Sequence, residues 1–194
     1  LHQHMEASGI PIVHTLIERP TAHMELISFA TRREGEGRVD NVLMEIRPRS
    51  SDVIAAPRVL IRSCKSYQLG SNTGLVSNVF KDDGQTPWMV CIPQNGFSGT
   101  GDLLWRKAEW GYDFYLEHGT AQKDNPFRVL FRLPQKGGTG KVDTTVSPEE
   151  LLHEVRDWWR NWHAFGGNVD WSFPSAKGDF LTACARNIQQ AREV

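Results

Sequence analysis

Residues 156–165 read RDWWRNWHAF, three tryptophans and a phenylalanine within ten positions. Two kinds of chemistry use such a run. Exposed, coplanar indoles grip the faces of pyranose rings, whereas buried ones supply the largest apolar anchors a helix can carry. Trp88 and Trp105 flank a long stretch rich in glycine, serine and asparagine and form the pair best placed to stack on a sugar. They are the candidate substrate-binding residues. Trp110 belongs to an alternating strand and is assigned to the core.

His2 and His4, in HQH, would project from the same face of an extended strand, a spacing able to chelate a metal. No third ligand is near in sequence, so a frayed terminus is the stronger reading and no metal site is assigned. His14, His23 and His118 fall in separate strand-like segments and read as surface or turn histidines rather than a cluster. Asp82 and Asp83 are adjacent carboxylates, but glycoside cleavage needs two carboxyls several ångströms apart on either side of the bond. The DDG sequence reads instead as a turn, with Gly84 at positive φ. Cys64, Cys91 and Cys184 are widely separated and none sits in a CxxC spacing, which argues against a disulfide framework and a structural zinc site. Cys64 and Cys91 lie in apolar, strand-like contexts and are expected to be buried as small hydrophobes. There is no GxSxG elbow, P-loop or dinucleotide-binding glycine motif, so neither a catalytic residue nor a cofactor is assigned.

The 194 residues carry 22 basic and 23 acidic side chains with no block of either sign, which gives nucleic-acid binding no electrostatic support. No apolar run approaches the roughly 20 residues that a membrane-spanning helix needs. The opening LHQHMEASGIPIV lacks the basic and apolar regions of a signal peptide. It also lacks an initiator Met, as a chain cut after a leader would, and a periplasmic or secreted location is compatible with it.

The elements that must position these residues are mostly strands. IVHTLIERP, HMELISFATR, RVDNVLMEIRP and PRVLIRSCKSY are rich in apolar and β-branched residues and are punctuated by Pro20, by EGEG at 34–37, by Pro48 and by Pro57. Two later segments alternate with period two. In WGYDFYLEHG, Trp110, Tyr112, Phe114 and Leu116 share a face; in FRVLFRLP, Phe127, Val129, Phe131 and Leu133 oppose Arg128 and Arg132. Each is expected to bury one face, with the DNP at 124–126 turning the chain between them. Residues 71–102 read as long loop with one short strand near WMVCIP. This spacing predicts a mainly β fold, a large antiparallel β-sandwich over residues 1–136.

Gly137, Gly138 and Gly140 then break the pattern. Ser147, Pro148 and Glu150 make a capping box with proline at the first helical position, predicting a helix from there to about Phe165, stopped by Gly166 and Gly167. Residues 137–178 are thus a glycine-rich break followed by a tryptophan-rich linker helix. Within that helix Trp158 and Trp162 share a face with Leu151, Val155 and Phe165, while Trp159 flanks the stripe with Leu152. A broad stripe is an anchor rather than a sugar platform, docked on a surface that need not belong to this chain. Residues 179–194 start a second helix, with Phe180, Leu181, Cys184, Ile188 and Ala191 at spacings of three and four. That helix meets Val194 without a stop signal, which predicts a following helical domain.

In this order of parts, RVDNVLMEIRP, NPFRVLFRLPQ, EELLHEVRDWWRNW and DFLTACARNIQQAREV, together with the linker VDWSFPSAKGD, resemble the N-terminal region of glycoside hydrolases with an (α/α)6 barrel. That group includes glucoamylase-like enzymes and disaccharide phosphorylases. The resemblance implies a galactose-mutarotase-like supersandwich followed by two α-helices and packed on a helical barrel of the same polypeptide or a companion chain. The barrel holds the catalytic groups in that group, so this chain is expected to carry none. Carbohydrate is the implied ligand, with sandwich loops such as 71–102 lining a subsite. An independent carbohydrate-binding module or lectin is the alternative. A mutarotase-like epimerase is a third reading; its nearest pair, Glu117 and His118, would point to opposite faces of a strand.

Overall fold

A computed structural model describes residues 1–7, 10–50, 58–63, 68–69, 78–81, 87–94, 104–108, 111–117, 121–135 and 141–161. For the strand residues within 58–88, for 93 and for 104–117 it describes the backbone alone. The fold is mainly β and sandwich-like, with every strand pairing antiparallel.

Four strands open the chain as a meander: β1 (His2–Ala7), β2 (Ile10–Glu18), β3 (Ala22–Arg33) and β4 (Gly37–Pro48). Their turns fall on the punctuating residues of the sequence. Arg19 N–H donates to the Ala22 carbonyl at 3.0 Å across Pro20. The EGEG turn needs its glycines, because Gly35 and Gly37 have φ of 79° and 80°, a region that L side chains rarely adopt. The meander continues through β11 (Phe127–Pro134), β8 (Pro87–Pro93), β7 (Asn78–Lys81) and β6 (Gln68–Leu69) into one eight-stranded sheet, ordered β1-β2-β3-β4-β11-β8-β7-β6. A separate three-stranded sheet is ordered β5 (Arg58–Ser63), β10 (Gly111–Glu117) and β9 (Leu104–Ala108).

This topology corrects two expectations. Segment 71–102 is not a long loop with one short strand, since β7 and β8 pair within it. Its polar and glycine-rich composition hid a four-residue strand, too short for period two to register. Nor does the DNP segment join neighbouring strands. β10 belongs to the small sheet and β11 to the large one, so the turn at Gln122–Asn125, closed by mutual backbone hydrogen bonds of 3.0 and 3.2 Å, leads from one sheet to the other.

β11 also departs from the one-sided burial that its alternation predicts. Phe127, Val129 and Phe131 are buried on one face, yet Leu130 and Arg132 are buried on the other. Central strands covered on both faces lose the simple inside–outside code. The cover on the Arg132 face comes from the segment 141–147, whose Asp143 carbonyl accepts from Arg132 Nη1 at 2.6 Å, and from the helix that follows.

That helix, α1 (Pro148–Arg160), begins as the capping box predicts: Ser147 Oγ accepts from the Glu150 N–H at 3.1 Å. It ends earlier than expected. Asn161 caps it, with its N–H donating to the Asp157 carbonyl at 3.0 Å, so the chain leaves the helix five residues before the predicted stop. Asn161 is in the right-handed region, φ −89° and ψ −2°, so the helix ends here without the left-handed residue that Gly166 or Gly167 would supply. Trp162, Phe165 and the second helix expected over 179–194 lie outside the described residues.

The partner of α1 is the chain's own large sheet. Leu151, Leu152, Val155 and Trp159 join Val146 against Ile10 and Ile12 of β2, Phe29 of β3, Leu43 of β4, Val90 and Ile92 of β8 and Leu130 of β11. Turning about 100° per residue, the buried positions centre between the Leu151/Val155 and Leu152/Trp159 rows. Trp159 is therefore the anchor, 7% exposed, while Trp158, which the sequence reading set on the stripe, sits on its flank and is 48% exposed. The two indoles meet edge to face, centroids 4.6 Å apart at 78°.

Candidate functional site

Ionisable side chains concentrate where α1 meets the β1–β2–β3 corner of the sheet. β1 is paired along its length with β2, with a register shift between Met5 and Ala7, and His4 lies directly opposite His14. The terminus is therefore a strand rather than a frayed end. The antiparallel register supplies the third imidazole that sequence proximity does not. His2 and His4 have ring centroids 5.3 Å apart, and His4 stacks on His14 at 5.1 Å with planes inclined by 14°. Contrary to the expectation of isolated surface histidines, these three form a row.

His14 is the organised member. Its Nδ1 lies 2.7 Å from Glu25 Oε1 on β3, and because a carboxylate only accepts, Nδ1 carries the proton of that hydrogen bond. Its Nε2 is buried and has no hydrogen-bond partner, with Glu6 Oε2 at 3.5 Å. Glu6 in turn accepts from Arg156 of α1 through both oxygens, at 2.6 and 2.7 Å. The Arg156 hydrogen bonds, opposed by partial burial, hold the Glu6 carboxyl below its ordinary value. A line of side chains, Glu25–His14–Glu6–Arg156, thus runs from β3 through β2 and the edge strand β1 to the helix. His23 stands apart, an exposed residue of β3 whose Nδ1 is 2.7 Å from Glu18 Oε2.

Two further clamps tie α1 to the sheet. Arg33 of β3 donates to Glu150 at 2.6 Å, to both oxygens of Glu154 at 3.1 and 2.6 Å, and to Asp143 at 3.4 Å. Arg128 of β11 donates to Glu149 at 2.7 Å and faces Glu45 at 3.2 Å. Glu149 and Glu150 also sit in the first turn, where the helix dipole favours negative charge. Beneath them the Arg132 guanidinium is fully enclosed, donating to Glu36, to Asn41 Oδ1 at 3.1 Å and to the Asp143 carbonyl.

The sequence-derived sugar pair falls on strands of different sheets. Trp88 is a residue of β8 in the large sheet, and Trp105 is a residue of β9, opposite Phe114 of β10. Their side chains, and those of Asp82, Asp83, Cys64, Glu117 and His118, lie outside the described residues. Cys91 is buried as expected, and burial pushes its thiol well above the usual range. No helix among the described residues is long and apolar enough to cross a membrane. The row of imidazoles and the Glu6–Arg156 bridge escaped sequence reasoning. The one available signal was the HQH alternation, which fixes a shared face but not the strand across from it.

Comparison of the chain with protein-family models, with curated proteins and with solved structures finds no match.

Proposed function

We propose that this chain is a non-catalytic domain of a carbohydrate-active glycoside hydrolase or phosphorylase: a mainly β platform that carries a helical catalytic unit, in the same polypeptide or a companion chain, and shapes its substrate pocket. The observation that carries this reading is the locking of α1 on the sheet. A helix that merely joins two units needs no charge pairs to either one. Here Arg33, Arg128 and Glu6, from three strands, grip both ends of α1 over an apolar core. Such a strut fixes the direction in which the chain leaves the sheet and keeps Trp158 turned outward beside the exit. The resemblance of EELLHEVRDWWRNW to the linker helix of (α/α)6-barrel enzymes supports the same reading.

Titrating the chain with a panel of oligosaccharides while following tryptophan fluorescence tests it, together with glycoside turnover by the full product of the reading frame. A supporting domain gives no saturable change alone and belongs to a product that cleaves or phosphorolyses a glycoside. Saturable binding by residues 1–194 alone would favour an independent binding module using Trp88 and Trp105. A full product without glycoside turnover would remove the reading.

A further inference from the structure

We propose that His4, His14 and Glu6, with His2 alongside, form a binding site for a divalent transition-metal ion of the zinc class at the β1 edge of the sheet. The proposal is independent of the carbohydrate reading. Metal-binding histidines commonly donate one ring N–H to a carboxylate, which fixes the tautomer and leaves the other nitrogen as the ligand. His14 has this arrangement. With Glu25 taking the Nδ1 proton, the neutral imidazole keeps its lone pair on Nε2, which is buried with Glu6 Oε2 3.5 Å away, long for a hydrogen bond.

The next group towards that lone pair is Glu6 Oε2, at 3.5 Å. Two donors about 2.0–2.2 Å from one tetrahedral ion lie about 3.4 Å from each other. The pair is thus spaced as two ligands of a shared ion. Glu6 Oε2 accepts from Arg156 at 2.7 Å and retains a second lone pair for this role.

His4 supplies the third donor. As the rings stand, 14° from parallel, they cannot both aim lone pairs at one point, and no three donors among the described residues converge on a metal position. Because His4 is exposed on an edge strand, its ring can rotate out of the stack without disturbing the core. His2, on the same face and 5.3 Å away, offers a fourth nitrogen. Imidazole and carboxylate together suit zinc, copper, nickel or cobalt rather than magnesium or calcium.

Calorimetric titration of residues 1–194 with Zn²⁺, and with Co²⁺ read by its visible ligand-field absorption, tests the site. One equivalent should bind near neutral pH. His4→Gln should weaken binding at least tenfold, and Glu25→Gln, which removes only the support of His14, by about tenfold. His23→Gln should leave it unchanged. Since His4 is exposed, its replacement does not threaten the fold. His14→Gln is to be read alongside circular dichroism, and a metal-dependent rise in melting temperature that this variant abolishes is the second readout. No saturable binding, or binding that survives His4→Gln undiminished, overturns the proposal.

Discussion

Arg132 of β11 and Glu36 of the β3–β4 turn, 96 positions apart, form a two-pronged ion pair, Nη1–Oε1 3.1 Å and Nη2–Oε2 2.8 Å, in which the arginine is fully buried. The guanidinium's remaining partners are Asn41 and the Asp143 carbonyl, so one side chain joins a strand, a turn and the segment leading into α1. Removing one partner leaves a buried charge. Glu36→Ala or Arg132→Ala should cost about 3–5 kcal/mol of folding stability in urea titration. Replacing both residues by apolar ones of similar volume should cost clearly less than the two single changes added together. Additive losses would show that the pair acts as two independent groups.

Trp158 and Trp159 are neighbours in sequence with opposite exposure, 48% and 7%. Trp159→Ala opens a cavity between α1 and the sheet and should cost about 3–5 kcal/mol, whereas Trp158→Ala should stay within about 1 kcal/mol, the edge-to-face contact being its main loss. Equal losses in thermal or denaturant unfolding would mean that the apolar stripe is centred elsewhere. If Trp158 contacts a second unit, its replacement should weaken that assembly while the chain alone remains stable.

Much of the fold was legible because it is written locally. Ser147 and Glu150 are three residues apart and mark the start of α1 without help from anything else. The turns at Pro20 and EGEG are likewise fixed by residues within them. Arg132 was not legible, because alternation assigns a strand's charged positions to solvent and cannot reveal that the later segment 141–147 covers that face. The imidazole row depends on the β1–β2 register, which pairs His4 with His14. Choosing Trp159 over Trp158 required the width of the buried face, which includes Leu152 as well as Leu151. Each of these misses concerns a contact between distant segments. Of the candidate site, only His2 and His4 were visible as a pair.

Cys91 lies in β8, completely buried, with its thiol held in the neutral form by desolvation. A neutral, enclosed thiol neither attacks disulfides nor alkylates readily. In the native chain Cys91 should resist a maleimide or an aromatic disulfide reagent until denaturant is added, with mass spectrometry identifying the labelled site. Rapid native labelling at Cys91 would mean that β8 opens locally without global unfolding.

Glu6 and Asp143 give stability a defined acid dependence. Glu6 is held below its ordinary 4.5 chiefly by the Arg156 hydrogen bonds, and Asp143 below 3.8 chiefly by the Thr145 backbone N–H, which donates at 2.8 Å, and then by its hydroxyl. A carboxyl whose folded value is depressed contributes its stabilisation above the unfolded value and loses it as pH falls through the folded value. For Glu6 the loss should therefore begin near pH 4.5 and for Asp143 near pH 3.8, continuing to lower pH in both cases. Glu6→Gln should melt at a lower temperature than the parent at neutral pH, with the two curves converging as the parent's Glu6 is protonated. Arg156→Met should flatten the same limb, because it removes the cation that sets the shift, while leaving the Asp143 limb intact. Parallel melting-temperature curves for parent and Glu6→Gln between about pH 6 and pH 3 would show that the β1–α1 bridge does not contribute to the folded state in solution.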